Sequence, residues 1–209
     1  MFARVTIRVS DADASRRFYE TVLATLGRRP VAAADWGDFA LAPAGDGAPV
    51  TRRLHLGFVA GSRAQVDAFW RAGVDNGYRD DGEPGPRPQY RHDYYGAFLT
   101  DPDGNSAEAV HHGALHAGDV IDHLWLRAAD VRAAASFYET IAAYAGLTVA
   151  DTSDDHAWFK GASGSFTIVS GEPTQHLHLS FAARDIETVD VLLDPNANVV
   201  ELVNHAARA

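Results

Sequence analysis

The chain contains no cysteine and a single methionine, which removes disulfides, thiolate metal sites and a cysteine nucleophile together. That lack is compatible with a reducing compartment. Basic residues are few, with 18 Lys and Arg against 28 Asp and Glu and a formal net charge of -10. The broad basic surface that nucleic acid or an anionic membrane requires is therefore excluded, while cationic ligands stay open. No apolar run approaches the roughly 20 residues that span a bilayer, and MFARVTIRVSD at the start lacks a basic stretch followed by an apolar core. Low-complexity tracts are missing as well, and 46% hydrophobic with 22% charged residues is an ordinary globular composition. These absences predict a cytoplasmic protein with no nucleic-acid or membrane partner.

What is present is a repeat. Arg8 to Thr21 (RVSDADASRRFYET) returns as Arg127 to Thr140 (RAADVRAAASFYET), 119 positions later. A repeat of this length means two copies of one folding unit, placed at residues 1–115 and 119–209. Each copy opens with an alternating stretch, Val5, Ile7 and Val9 against Arg4, Thr6 and Arg8 in the first, which predicts a half-buried strand. Asp11 and Asp130 are the expected N-caps of helices whose apolar stripes are Ala14, Phe18, Val22 and Ala133, Phe137, Ile141. Short strands around Asp38 to Ala42 and Ser165 to Ser170 are expected to pair antiparallel. LHLGF (Leu54 to Phe58) and LHLSF (Leu177 to Phe181) place leucines on one face and His55, or His176 with His178, on the other. The first copy continues with a helix capped by Ser62 and a Gly/Pro-rich turn, DDGEPGPRPQY. Tyr94-Tyr95-Gly96-Ala97-Phe98, the turn Asp101-Pro102-Asp103-Gly104-Asn105 and a strand with Glu108 complete it.

In the second copy DIETVD starts the matching helix at Asp185, but VLLDPNANVVELV follows at once. His55 to Glu108 spans 53 residues and His178 to Glu201 spans 23, so the second copy is shorter by 53 - 23 = 30 residues. Either the copy is truly shortened or a segment is missing from the sequence. A helix cut after one turn leaves its sheet uncovered, which favours a missing segment.

RVSDADASRRFYETVL with its echo RAADVRAAASFYETI, LHLGF with LHLSF, and YYGAFLTDPDGNSAEAV with LLDPNANVVELV resemble, in this order, the vicinal oxygen chelate superfamily. That superfamily includes glyoxalase I, extradiol dioxygenases and bleomycin-binding proteins. The resemblance implies an α+β fold of two tandem βαβββ modules with curved mixed or antiparallel sheets. It also implies a divalent metal, Zn, Ni, Fe, Mn or Co, held by His or Gln and Glu at fixed strand positions. The matching residues are His123, His178 and Glu201, all in the second copy. The first copy has Arg4 where an imidazole is needed, and a guanidinium does not ligate cations. Exchange of first strands between modules, seen in some members, would instead assemble His123 with His55 and Glu108.

Two imidazoles and a carboxylate leave coordination positions open for a small-molecule substrate with two adjacent oxygens. The expected function is lyase or isomerase chemistry on such a substrate, with Glu201 as ligand and base and Tyr95 handling a proton. Arg4, Trp125 and Tyr94 are the expected substrate contacts. An extradiol-type dioxygenase is the first alternative, and a metal-free antibiotic-binding protein of the bleomycin-resistance kind is the second. Both a monomer and a homodimer fit two modules in one chain.

Overall fold

The computed structural model describes residues 1–45, 47–114, 118–183 and 190–204. The first repeat runs β1 (Phe2–Val9), α1 (Ala12–Thr25), β2 (Phe39–Pro43), β3 (His55–Val59), α2 (Arg63–Asp75), β4 (Arg79–Pro86), β5 (Tyr95–Thr100) and β6 (Ser106–His111). The second runs β7 (Ile121–Ala128), α3 (Val131–Ala145), β8 (Thr148–Thr152), β9 (His156–Lys160), β10 (Ser165–Ser170), β11 (His178–Ala183), β12 (Asp190–Leu193) and β13 (Val199–Asn204). The fold is the α+β arrangement of two repeated units that the pattern predicts. The helix expected from Asp185 lies outside the described residues. Among the described residues no helix is long and apolar enough to cross a membrane.

Local chemistry starts the helices where the sequence places them. Asp11 and Asp130 accept hydrogen bonds from the backbone N–H of Ala14 and Ala133, both at 2.9 Å, and Ser62 accepts from Gln65. Phe18, Tyr19, Val22 and Leu23 of α1 are fully buried, and the Tyr19 ring packs against Phe39 of β2 and Phe58 of β3, which are fully buried too. Each such side chain contributes about 1.5–3 kcal/mol of hydrophobic stabilisation.

Three expectations about strands need correction. β2 pairs parallel with β1, and β10 pairs parallel with β7, where antiparallel pairing was expected. A helix follows each opening strand and returns the chain to the strand's starting end, so the next neighbour runs parallel. The Gly/Pro-rich stretch Arg79 to Pro86 is a strand rather than a turn, with register shifts at Asp80/Gly82 and Gly82/Gly85. It lies at a sheet edge, where missing donors and bulges are tolerated. The β8–β9 hairpin was not anticipated, because β8 is exposed throughout and has no alternation to read.

Two sheets result, with strand orders β12-β13-β11-β1-β2 and β4-β5-β6-β3-β7-β10-β9-β8. Each takes strands from both repeats. β7 lies antiparallel beside β3, with His55 opposite Trp125 and Gly57 opposite His123. β1 lies antiparallel beside β11, with Thr6 opposite His178 and Arg4 opposite Ser180. The short link from β6 to β7 sets β7 down next to the sheet just completed, while the equivalent place beside β11 is taken by β1.

Among the described residues the second repeat closes its sheet without a counterpart of the longer stretch between His55 and Glu108. β11 and β13 pair in parallel, as β3 and β6 do, and β12 closes the sheet as its edge. The first repeat extends further, through β4 and the covering helix α2. Val191 and Leu193 of β12 are 61% and 64% exposed.

A buried aspartate organises the tight turn in each repeat. Asp101 accepts from the N–H groups of Asp103 (2.9 Å) and Asn105 (2.8 Å), from Tyr19 Oη (2.9 Å) and from Asn105 Nδ2 (3.1 Å). Asp194 repeats this with Asn196, Asn198 and Tyr138. Asp101→Ala strands these donors inside the protein, so we expect a loss of about 3 kcal/mol in urea unfolding. A loss below about 1 kcal/mol would mean that the network contributes little.

Candidate metal centre

The strand exchange decides which candidate residues meet. His55 at the start of β3, Glu108 on β6 and His123 on β7 converge on adjacent strands of one sheet. His55 Nε2 lies 3.0 Å from Glu108 Oε2 and 3.2 Å from His123 Nε2, and His123 Nε2 lies 3.3 Å from Glu108 Oε2. They form a group of three side chains that could hold a metal ion, and it is the one such group among the described residues. The set His123, His178 and Glu201 is not assembled. His178 and Glu201 pair at 3.3 Å in the five-stranded sheet, and Ser180 Oγ donates to Glu201 at 2.7 Å. Glu201 therefore does not reach the cavity that His123 faces.

The remaining candidates divide in the same way. Arg4 belongs to the other sheet and forms an ion pair with Asp35. Tyr95 points away from Glu108, donating its hydroxyl to Asp67 at 2.9 Å beneath the Arg63 guanidinium. Tyr94, on the opposite face of the chain, donates to Glu108 Oε1 at 2.8 Å. Trp125 lies two residues beyond His123 on β7, with its ring 5.6 Å from that of His55.

Several participants carried no sequence signal that singled them out. Asp122 Oδ2 sits 2.9 Å from His123 Nδ1 and 3.4 Å from His112 Nε2. Ser106 Oγ lies 3.2 Å from His55 Nδ1 and donates to Asp81 at 3.0 Å. Each imidazole thus has its second nitrogen oriented by a partner, as metal-binding histidines commonly do. Two glycines inside strands were the readable clue. A Cβ at Gly57 would overlap the His123 ring, and one at Gly96 would overlap Glu108 Oε1. The strands are stripped of side chains where the donors lie.

The electrostatics follow from burial opposed by pairing. Burial alone would raise the Glu108 pKa, but hydrogen bonds from His123 and His55 hold it at about 2. Burial alone would lower that of His123, but Asp122 and Glu108 raise it to about 10. Burial likewise opposes, and its histidine partners reverse, the shift of Asp122, which lies well below the usual carboxylate range. Without a metal the centre carries a proton on His123 at neutral pH.

The donor chemistry fits a divalent transition ion. Donors at about 2.1 Å from such an ion, at angles of 90–109°, are roughly 3.0–3.4 Å apart. The three separations, 3.0, 3.2 and 3.3 Å, fall in that interval. The group opens onto a cavity of about 460 Å³ whose walls include Phe98, Tyr90 and Trp125.

Residues 2–109 match the Glyoxalase/Bleomycin resistance protein/Dioxygenase superfamily, more than half of the chain. The protein belongs to that superfamily. A glyoxalase/bleomycin resistance protein from Albidiferax ferrireducens is 37% identical over 54% of this chain and 99% of its own, with a TM-score of 0.48. A variant of glyoxalase I from Zea mays is 16% identical, covering 98% of this chain and 94% of its own at a TM-score of 0.67. A protein from Bacillus subtilis described as a candidate dioxygenase is 13% identical over 97% and 84%, at 0.61. These last two likenesses show the two-module fold. No curated protein matches the chain.

Proposed function

We propose that the protein is a divalent-metal-dependent enzyme acting on a small substrate that presents two adjacent oxygens, with lyase or isomerase chemistry. The observation that carries this reading is the convergence of His55, Glu108 and His123 within hydrogen-bonding distance of one another at the cavity floor. When bound, the metal supplies Lewis acidity toward a carbonyl or enolate oxygen. The protein's own contributions are positional. Tyr94 holds one carboxylate oxygen of Glu108 and leaves the other directed at the histidines. Asp122 and Ser106 fix the two ring orientations. Phe98, Trp125 and Tyr90 form an apolar wall that displaces water from a flat substrate.

An extradiol-type dioxygenase is the second reading, favoured by the donor set itself, since two histidines and one carboxylate with open positions suit non-haem Fe(II) and oxygen. Because the centre uses the first repeat, the intact segment with Tyr90 and Tyr94 stands beside it. The antibiotic-binding reading rests on the acidic overall charge and an aromatic cavity, and the cavity wall carries Arg53 and Arg127 as well as Asp81 and Glu108.

The test is elemental analysis of protein purified without chelator or affinity nickel, followed by separate loading with Fe(II) and with Ni or Zn. About one ion per chain is expected. Oxygen uptake with a catechol on the Fe(II) form selects the dioxygenase. Solvent-proton exchange at the carbon next to the carbonyl of a 2-hydroxy ketone, on the Ni or Zn form, selects the isomerase. A protein that cannot be loaded overturns both.

A further inference from the structure

The far end of the cavity carries charge that the metal centre does not use. Arg127 lies on β7, on the same face as His123 and Trp125, and lines the cavity with them. Arg53 lies two residues before His55 and lines it too. The β3–β7 ladder ends at His55 opposite Trp125, and Arg53 and Arg127 lie two residues beyond that pair on their respective segments. One buried residue holds the two together. Thr174 Oγ1 accepts from the Arg127 N–H at 2.9 Å and donates to the Arg53 carbonyl at 2.7 Å, and Thr174 N–H donates to the Arg127 carbonyl. Arg53 adopts the left-handed backbone at φ 62, a conformation uncommon for a side chain of this kind.

The sister repeat has the same tie, with Thr51 between Arg8 and the His176 carbonyl. The tie is therefore part of the fold, and what distinguishes this cavity is the second guanidinium in place of His176. Among the described residues Arg127 has no ion-pair partner, and Arg53 meets only Glu172, whose carboxylate is 70% exposed and open to exchange. Asp81, the other carboxylate on the wall besides Glu108, is turned to Ser106 beside His55.

We propose that Arg53 and Arg127 form an anion clamp, and that the substrate is a flat aromatic or conjugated molecule with vicinal oxygens at one end and a carboxylate at the other. This rests on the proposed metal centre for its vicinal-oxygen end only. Arg127 lies four residue steps beyond His123, about 13 Å along an extended strand. That length is enough for one substituted ring between clamp and centre. The ring lies against Trp125 and Phe98, both beside His55. A guanidinium pair suits a carboxylate through paired N–H donors.

The test uses 3,4-dihydroxybenzoate and catechol, titrated calorimetrically into Zn-loaded protein whose metal content has been measured first. Wild type is expected to bind the carboxylated probe at least about tenfold more tightly, and Arg53→Gln/Arg127→Gln to bring the two within about twofold. Equal binding by wild type, or a preference kept by the double variant, overturns the clamp while leaving the metal centre standing. If the protein holds no metal, the same variants are compared in the metal-free state with benzoate and phenol. Benzoate binding that disappears in the double variant supports the clamp, and its absence in wild type refutes it.

Discussion

His123→Ala and His55→Ala each strip the protein of its transition metal, whereas His178→Ala retains it. This is the expected result of strand exchange. The donor triangle takes His55 from β3 and His123 from β7, elements of different repeats that pair antiparallel. Removing either imidazole leaves two donors, and affinity should fall by more than about a hundredfold, beyond the loss typical of an orienting partner. His178 lies in the other sheet against Glu201 and is half-exposed, so its removal should leave stoichiometry unchanged. A unit built within the second repeat would give the reverse pattern, with His178→Ala losing the ion and His55→Ala keeping it. The same titrations carry a pH signature. His123 is held near a pKa of about 10 by Asp122 and Glu108, so below that pH each ion bound displaces a proton. Apparent affinity should therefore weaken by about tenfold for each unit of falling pH from this site alone. A pH-independent affinity would mean that His123 is not a ligand.

Residue type and strand face were legible in the sequence, and partner choice was not. The alternation around Val5 and around Leu56 fixed which side chains face the core, and the caps at Asp11, Ser62 and Asp130 fixed where helices begin. His55, Glu108 and His123 were visible as candidates because the family resemblance places ligands at these strand positions in each repeat. Whether His123 joins His55 or His178 depends on which edge β7 occupies, a non-local choice between two nearly equivalent sheets. Local pattern is the same in either case. Tyr95 is the wrong choice of proton-handling residue on pattern alone, because neighbouring strand residues face opposite ways and the sequence does not say which faces the cavity. The register of β5 against β6, with Phe98 opposite Glu108, places Tyr94 on the cavity side. Asp122 was invisible for a related reason, since a residue adjacent to His123 on a strand is expected to point away from it.

Gly57→Ala is expected to empty the centre without removing any donor atom. Gly57 lies opposite His123 on one side and beside Glu108 on the other, in the middle of the sheet. An added methyl would stand within van der Waals overlap of Cε1 and Nδ1 of the His123 ring and 2.9 Å from its Nε2. The ring has little freedom to yield, because Asp122 holds Nδ1 and His123 is only 7% exposed. Either the ring swings out and loses its aim at Glu108, or the strands separate at a cost of about 1–3 kcal/mol. Both outcomes reduce metal affinity, by at least about a hundredfold if the ring leaves the triangle. The sister sheet shows that the two positions are coupled. There Ser180 stands where Gly57 would, paired with Arg4 in place of a histidine and with Glu201 in place of Glu108. Arg4 extends to Asp35 and leaves that space to the serine, whose hydroxyl holds the carboxylate. A strand glycine and a cross-strand imidazole thus occur together, and a side chain and a guanidinium occur together. Circular dichroism of Gly57→Ala should report a folded chain, and elemental analysis should report little metal. Wild-type loading in a folded Gly57→Ala protein would show that the imidazole does not need the space the glycine leaves, and the fit between this sheet and its proposed ion would fall with it.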